Sequence, residues 1–129
     1  MLRNGILNPH LNALLSRIRH TNLLVIADRG FPYWPMIETV DISLIDGIPT
    51  VLQVLTAIRS NFVIGHAWMA NEFTENNDVN TRTRFAASLE GIPVEFLPHT
   101  AFKERVLSAI GLVRTGDTTQ YANLILESA

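Results

Sequence analysis

The sequence contains no cysteine and few charged residues. Without cysteine, the chain has no disulfide framework, no thiol nucleophile and no cysteine-ligated zinc site. Charged residues are 17% of the 129, and the net charge is −2 at pH 7. The chain therefore lacks the basic field that binding to nucleic acid or to an anionic membrane surface requires, and we predict neither partner.

Long apolar runs are also missing. No run approaches the roughly 20 residues that a membrane helix requires, and the N-terminus lacks the apolar stretch of a signal peptide. We therefore predict a cytoplasmic protein. Its length suits one domain over residues 1–129. Since 47% of the residues are apolar and few are charged, we expect partner subunits to cover part of the surface.

Patterns that hold metals or cofactors are absent as well. The four histidines are scattered along the chain and form no His-x-x-x-His pair, so we predict no metal site. Neither common glycine-rich phosphate loop occurs, and Gly-x-Ser-x-Gly is missing. We predict a protein that works without a cofactor.

The hydropathy pattern predicts alternating helices and strands. Asn8 followed by Pro9 is typical of a helix start, and Leu23–Ala27 is a continuous apolar run, as in a strand buried on both faces. Strands are predicted over 23–27, 42–45, 62–69, 94–97 and 123–126. Further helices are predicted from Pro49, over about 80–90 before Gly91, and from Thr100 through Val113, with Arg114 in the last turn of that helix. Residues 31–41 are predicted to be an ordered loop, and residues 71–80 a loop or irregular helix. The alternation predicts a three-layer α/β/α domain with a mainly parallel sheet.

Polar residues at the junctions between these elements are the candidates for chemistry. They are His20, Asp28, His99 and the tripeptide Tyr121-Ala122-Asn123. Asp28 follows a buried strand, where α/β proteins often place ligands, although a turn role with Gly30 fits equally well. His20 also suits a cation at a helix end, and His99 a solvated loop residue. Proximity to a helix N-terminus should lower the pKa of His99 and favour its neutral ring.

Taken together, the motifs resemble the D-ribose pyranase and L-fucose mutarotase family over essentially the whole chain. The matching segments, in order, are Gly5–Asn8, Arg19–Asn22, Leu23–Asp28 with Gly30 and Pro32, Asp46–Pro49, Gln53–Leu55, His99–Lys103, Thr115–Asp117 and Tyr121–Leu126. The His-x-x-Phe-Lys stretch at His99 is similar to that of the pyranase branch. No single segment is specific, but their number and order are.

The resemblance implies a function and a set of roles. It implies a sugar mutarotase that interconverts pyranose and furanose, or anomeric, forms of an unphosphorylated aldose, with D-ribose the first candidate. His20 would be the proton donor, and Asp28, His99 and Tyr121 to Asn123 would contact the sugar. The resemblance also implies a ring-shaped homo-oligomer, often a decamer.

Two segments depart from the family pattern: the segment around residues 71–92 is shorter than in longer members, and the turn at Asp28 carries larger residues. Arg29, Phe31, Tyr33 and Trp34 surround the Asp28 turn, where pyranases usually carry smaller residues. Aromatic rings there can stack on an apolar sugar face or pack between subunits. They leave a fucose-type or other aldose as an alternative substrate.

A reach argument places the two catalytic candidates far apart. His20 precedes the first strand and Asp28 follows it, so a strand of five or six residues separates them by roughly 17–20 Å. One small sugar cannot touch both within one chain. We therefore predict a composite site, in which His20 of one subunit meets Asp28 of its neighbour. The alternative to an enzyme is a non-catalytic sugar-binding or transport-accessory protein, for which His20 is dispensable.

Overall fold

The computed structural model describes residues 1–129, which form a six-stranded sheet with helices on both faces. The strands are β1 (Leu23–Ala27), β2 (Glu38–Asp41), β3 (Ile64–Ala70), β4 (Val94–Leu97), β5 (Gly111–Arg114) and β6 (Leu124–Ser128). The helices are α1 (Pro9–Arg17), α2 (Val51–Arg59), α3 (Asn71–Asn76), α4 (Val79–Ser88) and α5 (His99–Val106).

The sheet has the order β2-β5-β1-β6-β3-β4. Strand β6 runs antiparallel to β1 and β3, and the other three pairings are parallel. The predicted three-layer α/β fold with a mainly parallel sheet is confirmed. Because β6 is reversed, β1, β3 and β4 end at the edge of the sheet where β6 begins. We call this the upper edge.

The two helical layers are unequal. A core of 19 buried residues lies under α1, α2 and α4, whereas 11 form the core on the α5 face. Strand β1 is buried at all five positions because its side chains alternate between these two cores. The α5 face is therefore the less covered side of the sheet.

Helix starts follow local capping chemistry. The Asn8 side chain accepts a hydrogen bond from the Leu11 backbone N–H at 2.9 Å, with Pro9 in the first turn, as predicted. Helix α2 is opened by Thr50 rather than Pro49, and Thr50 forms a reciprocal capping box with Gln53.

The helix predicted from Thr100 through Val113 is wrong in its second half. Helix α5 ends at Val106, and Gly111–Arg114 is instead strand β5, paired in parallel with β1 and β2. Helical spacing of apolar residues continues past Val106, but Leu112 and Val113 are buried in the sheet. Tertiary pairing has overridden the local pattern.

The other differences lie at the edges of the sheet and at element boundaries. The strand predicted over 42–45 lies four residues earlier, as β2, where only Val40 is buried because β2 is an edge strand. The predicted strand 62–69 begins at Ile64, and the predicted strand 123–126 is shifted to Leu124–Ser128. The predicted polar segment 71–80 contains the short helix α3.

None of the helices combines the length and the hydropathy of a membrane span. The cytoplasmic location stays a prediction.

The turn Thr115-Gly116-Asp117 ties three elements together behind the upper edge. The Thr115 hydroxyl donates to the carbonyl oxygen of Ala27, at the end of β1, at 2.8 Å. The Asp117 carboxylate is 5% exposed and accepts from the backbone N–H of Val51, the first residue of α2, at 2.8 Å. Gly116 lies between them against the 45–48 segment, where its N–H donates to the carbonyl oxygen of Pro49.

We predict that Gly116→Ala destabilises the fold. A Cβ there would overlap the carbonyl oxygens of Ile45 and Ile48, and backbone cannot move as a side chain can. We expect a loss of about 1–3 kcal/mol in the free energy of unfolding, measured by urea titration. Gly65→Ala is the control, because its new methyl group would meet the side chain of the terminal residue Ala129 at 3.0 Å. Equal stability of the two variants would contradict the prediction.

Candidate functional site

A cavity of about 340 Å³ opens at the upper edge of the sheet. It lies where β1 and β4 end and β6 begins, so residues far apart in sequence meet there. Its lining residues are Asp28, Gly30, Phe31, Pro32, His99, Gln120, Tyr121 and Asn123. The structure thus brings together Asp28, His99, Tyr121 and Asn123 from the predicted set.

Asp28 and Asn123 form the floor of this cavity. The Asp28 backbone N–H donates to Oδ1 of Asn123 at 2.8 Å, which joins the end of β1 to the start of β6. Asn123 is 2% exposed. The Asp28 carboxylate accepts from the Gly30 N–H at 3.0 Å, the Asx-turn geometry that the sequence also allowed. Asp28 therefore serves as both a turn residue and a cavity residue.

The pKa of Asp28 is raised above its ordinary value. Burial is the main cause, and the nearby Asp117 carboxylate adds to it. Hydrogen bonds from the Gly30 N–H, the Asn123 side chain and the Phe31 N–H oppose the shift without cancelling it. Asp28 is therefore a stronger base than a solvated aspartate.

His99 begins α5 and places its imidazole among aromatic rings. The ring lies 6.2 Å from that of Phe102 in a stacked arrangement and 5.1 Å from that of Tyr121, edge to face. Its Nδ1 is buried and has no hydrogen-bond partner in the chain. The pKa of His99 is lowered, first by burial and then by Lys103, while Glu72 and Asp28 oppose the shift. The predicted direction is confirmed, with burial as the leading cause.

Tyr121 has a backbone conformation that is rare outside glycine. Its φ is +55°, in the left-handed region, where a bulky residue is strained and where functional sites often concentrate such strain. Ala122 is fully buried in the larger core and does not line the cavity. Its two neighbours, Tyr121 and Asn123, both line the cavity.

His20 is not part of this cavity. It lies before β1 at the opposite edge of the sheet, where the adjacent Thr21 N–H donates to the carbonyl oxygen of Ser128 at the end of β6. Its side chain is exposed. The five residues of β1 span about 17 Å at 3.3 Å per residue. His20 therefore cannot reach a sugar bound at Asp28 of its own chain, and its catalytic role stays a prediction.

The aromatic residues near the Asp28 turn have different environments. Phe31 is 5% exposed, lines the cavity and packs against Phe102 and Trp34. Tyr33 is 68% exposed. Arg29 is ion-paired with Asp46 at 2.7 Å on the surface. Only Phe31 can contact a ligand in this cavity within one chain.

Sequence reasoning misses Arg114, which organises the turn that carries Asp28. Its guanidinium donates to the carbonyl oxygens of Asp28, Arg29 and Pro32 at 3.2–3.4 Å, and its side chain is only 11% exposed. The sequence pattern places Arg114 at a helix end, so no signal points to this role; recognition of β5 would have placed it next to β1.

A second cavity is larger but chemically different. It has a volume of about 510 Å³ and lies between α4 and β4, with eight hydrophobic residues among its twelve lining residues. Polar groups do not converge there as they do around Asp28. No cluster of three or more His, Asp or Glu residues is arranged to hold a metal ion. The Asp28 cavity is the better candidate for a polar small molecule.

Comparisons with known proteins point to one family. The sequence model of the RbsD / FucU transport protein family matches residues 1–129. D-ribose pyranases of Geobacillus thermodenitrificans and Laribacter hongkongensis are 40% and 36% identical to the chain, over 99% of its length and 96% and 97% of theirs.

Solved structures share the fold. Bacillus subtilis RbsD complexed with D-ribose superposes with a TM-score of 0.91 at 29% identity, over 100% of this chain and 98% of that one. The fucose mutarotase of Streptococcus pneumoniae in complex with L-fucose gives a TM-score of 0.83 at 22% identity, over 99% and 98%, which shows the common fold.

We predict that Arg114→Lys loosens the Asp28–Pro32 turn. An ammonium group cannot reproduce a planar donor set that binds three carbonyl oxygens, and hydrogen bonds to charged groups each contribute about 1.5–3 kcal/mol. We expect amide hydrogen exchange at Gly30 and Phe31 to accelerate by roughly tenfold or more. Arg17→Lys, in an exposed ion pair with Glu38, should leave those amides unchanged. Unaltered hydrogen exchange at these amides in Arg114→Lys would contradict the prediction, because the turn would then be stable without the guanidinium contacts.

Proposed function

This chain belongs to the RbsD / FucU transport protein family, and from that premise we propose that it is a sugar mutarotase of the pyranase type. It opens and recloses the ring of an unphosphorylated aldose, with D-ribose as the first substrate to test. The proposal is carried by one observation: a carboxylate, an imidazole, a phenol and an amide converge on one sugar-sized cavity.

The groups in the cavity suit a polyol. The Asp28 carboxylate accepts hydrogen bonds, the Tyr121 hydroxyl and the Asn123 amide can do both, and a neutral His99 ring offers one donor and one acceptor. Phe31 adds an apolar wall on which a sugar C–H face can pack. Relatives named D-ribose pyranase and a ribose-bound structure of the same fold support ribose as the ligand.

Ring opening of a hemiacetal requires two proton transfers. The anomeric hydroxyl loses a proton as its oxygen becomes the carbonyl oxygen, and the C1–ring-oxygen bond breaks as the ring oxygen gains a proton. Asp28, with its raised pKa, and the neutral His99 ring are the two groups at the cavity that can take the anomeric proton. Neither transfer needs a metal or a cofactor.

The second proton comes, in this proposal, from a neighbouring subunit. His20 is exposed at the opposite edge of the sheet, so it is available to a neighbour and out of reach of its own cavity. Imidazole is the side chain that most often serves as both general acid and general base in proteins. Head-to-tail contacts form a ring when the rotation between subunits closes, and we propose a ring-shaped homo-oligomer, with a decamer as the first expectation.

The alternative is a sugar-binding protein without catalysis. One observation favours it: the cavity of a single chain already holds four converging polar groups without His20. Binding and exchange must therefore be measured separately.

We predict that His20→Ala strongly slows exchange but retains sugar binding. Removal of a general acid should slow exchange by about 10²–10⁴-fold, measured by saturation-transfer NMR between the pyranose and furanose signals of ribose. Binding is measured by calorimetry on the same samples. His10→Ala, another exposed histidine on α1, should behave like the unaltered protein. Exchange at the unaltered rate in His20→Ala would contradict the role of His20, whereas an unaltered protein that binds ribose without accelerating exchange would support the binding-only function. A panel including fucose and other aldoses would identify the substrate.

We predict that two inactive variants restore activity when they assemble together. A co-expressed mixture of His20→Ala and Asp28→Asn should contain about one intact composite site in four, since each site takes one residue from each of two subunits. Exchange should therefore recover to about a quarter of the unaltered rate. The control is a mixture of His20→Ala with the double variant His20→Ala/Asp28→Asn, which contains no intact site. A mixture as inactive as that control would refute the composite site.

A further inference from the structure

Glu72 reaches from α3 to the first residue of α5. Its two carboxylate oxygens accept from the backbone N–H of His99 at 3.1 and 3.0 Å. The two residues follow the neighbouring parallel strands β3 and β4, which is why they meet at the upper edge. Glu72 is half-buried and does not line the cavity.

This contact replaces a cap that α5 lacks. The first backbone N–H groups of a helix have no partner within the helix, and the residue at the N-cap of α5 is Pro98, whose side chain has no acceptor. Glu72 supplies the acceptor from a different helix. A carboxylate is also favoured by the positive ends of both helix dipoles, since Glu72 lies in the first turn of α3.

The anchored backbone fixes the imidazole of His99. The ring is confined by Phe102 on one side and by the edges of Phe31 and Tyr121. Aromatic packing alone leaves the ring free to slide along these surfaces, whereas the carboxylate holds the Cα end of the side chain. The two constraints together define where the ring nitrogens lie.

We propose that Glu72 is a positioning residue, whose carboxylate holds the His99 imidazole in place for the sugar. This inference rests on the proposed function where sugar binding is measured, whereas the position of the His99 ring is argued from geometry alone.

The charged groups around His99 provide a second way to test the role of Glu72, through the pKa of His99. Lys103 on α5 lowers the pKa of His99, whereas Glu72 on α3 and Asp28 after β1 raise it; Tyr121 contributes the remaining polar side chain. Loss of the Glu72 charge should therefore lower the pKa of His99 further. A contact that acts only through its hydrogen bond, and not through its charge, would leave this titration unchanged.

The test is Glu72→Gln in the full chain, with Glu75→Gln on the same helix as the matched control. The introduced amide keeps one acceptor for the His99 N–H and loses the charge; Glu75 is exposed and has no such contact. The readouts are the ring titration of His99, assigned with a His99→Gln variant by nitrogen-15 NMR, and the dissociation constant for D-ribose. We expect a lower His99 pKa and about three- to tenfold weaker ribose binding in Glu72→Gln, with neither effect in Glu75→Gln.

A third variant, Glu72→Asp, retains the charge but shortens the reach. We expect its His99 pKa to lie closer to that of the unaltered protein than that of Glu72→Gln does. An unchanged titration and unchanged ribose binding in Glu72→Gln would overturn the proposal. If the unaltered protein exchanges no sugar, the proposed function fails, while a shifted His99 titration still supports the role of Glu72.

Discussion

The site depends on one buried amide. Asn123 sits at the start of the reversed strand β6, and its Oδ1 accepts the backbone N–H of Asp28, 95 residues away in sequence. The same side chain donates toward the Asp28 carboxylate, which opposes the rise of the Asp28 pKa that burial causes. Because a buried amide without partners costs about 1–3 kcal/mol, the end of β1 and the start of β6 are held in one register. That junction fixes the positions of Asp28 and Tyr121. It also fixes the turn whose carbonyl oxygens accept hydrogen bonds from Arg114.

The reversed strand explains why the cavity is polar on several sides. In a fully parallel sheet the upper edge receives only the carboxyl ends of strands. Here β6 enters between β1 and β3, so that Tyr121 and Asn123 come from a strand start while Asp28 and His99 follow strand ends. Burial then shifts the pKa values of the two titratable groups toward each other, raising that of Asp28 and lowering that of His99. Both shifts favour the neutral forms, which suits a site that must exchange protons with a neutral sugar.

Sequence patterns predict the parts of the fold that are determined locally. The run Leu23–Ala27 is buried throughout, and Asn8 caps α1 as expected. Helix α4 ends at Ser88 with Leu89 as its C-cap, so Gly91, with φ +81°, lies two residues beyond the cap rather than next to it. Strands β2 and β5 escape these patterns because their pairing is non-local: β5 pairs with β1 and β2, and three of its four residues are buried. Their position at element junctions singles out Asp28, His99, Tyr121 and Asn123, and the family resemblance implies their roles; the structure gathers all four around one cavity. Arg114 and Glu72 act on backbone groups across strands, so no sequence motif could have identified them.

The position of His20 follows from the same sheet geometry. An element that enters β1 and an element that leaves it lie at opposite edges, and no side chain spans about 17 Å. His20 can donate a proton to a sugar bound at Asp28 only if copies of the chain stack. The edge of the sheet that carries His20 in one copy must then lie against the upper edge of the next copy. The thinly covered α5 face and exposed apolar residues such as Leu107 and Ile110 leave surface for such contacts. In this proposal the active site is complete only in the assembly. The single chain supplies the sugar cavity and the groups that accept the anomeric proton, but not the group that protonates the ring oxygen.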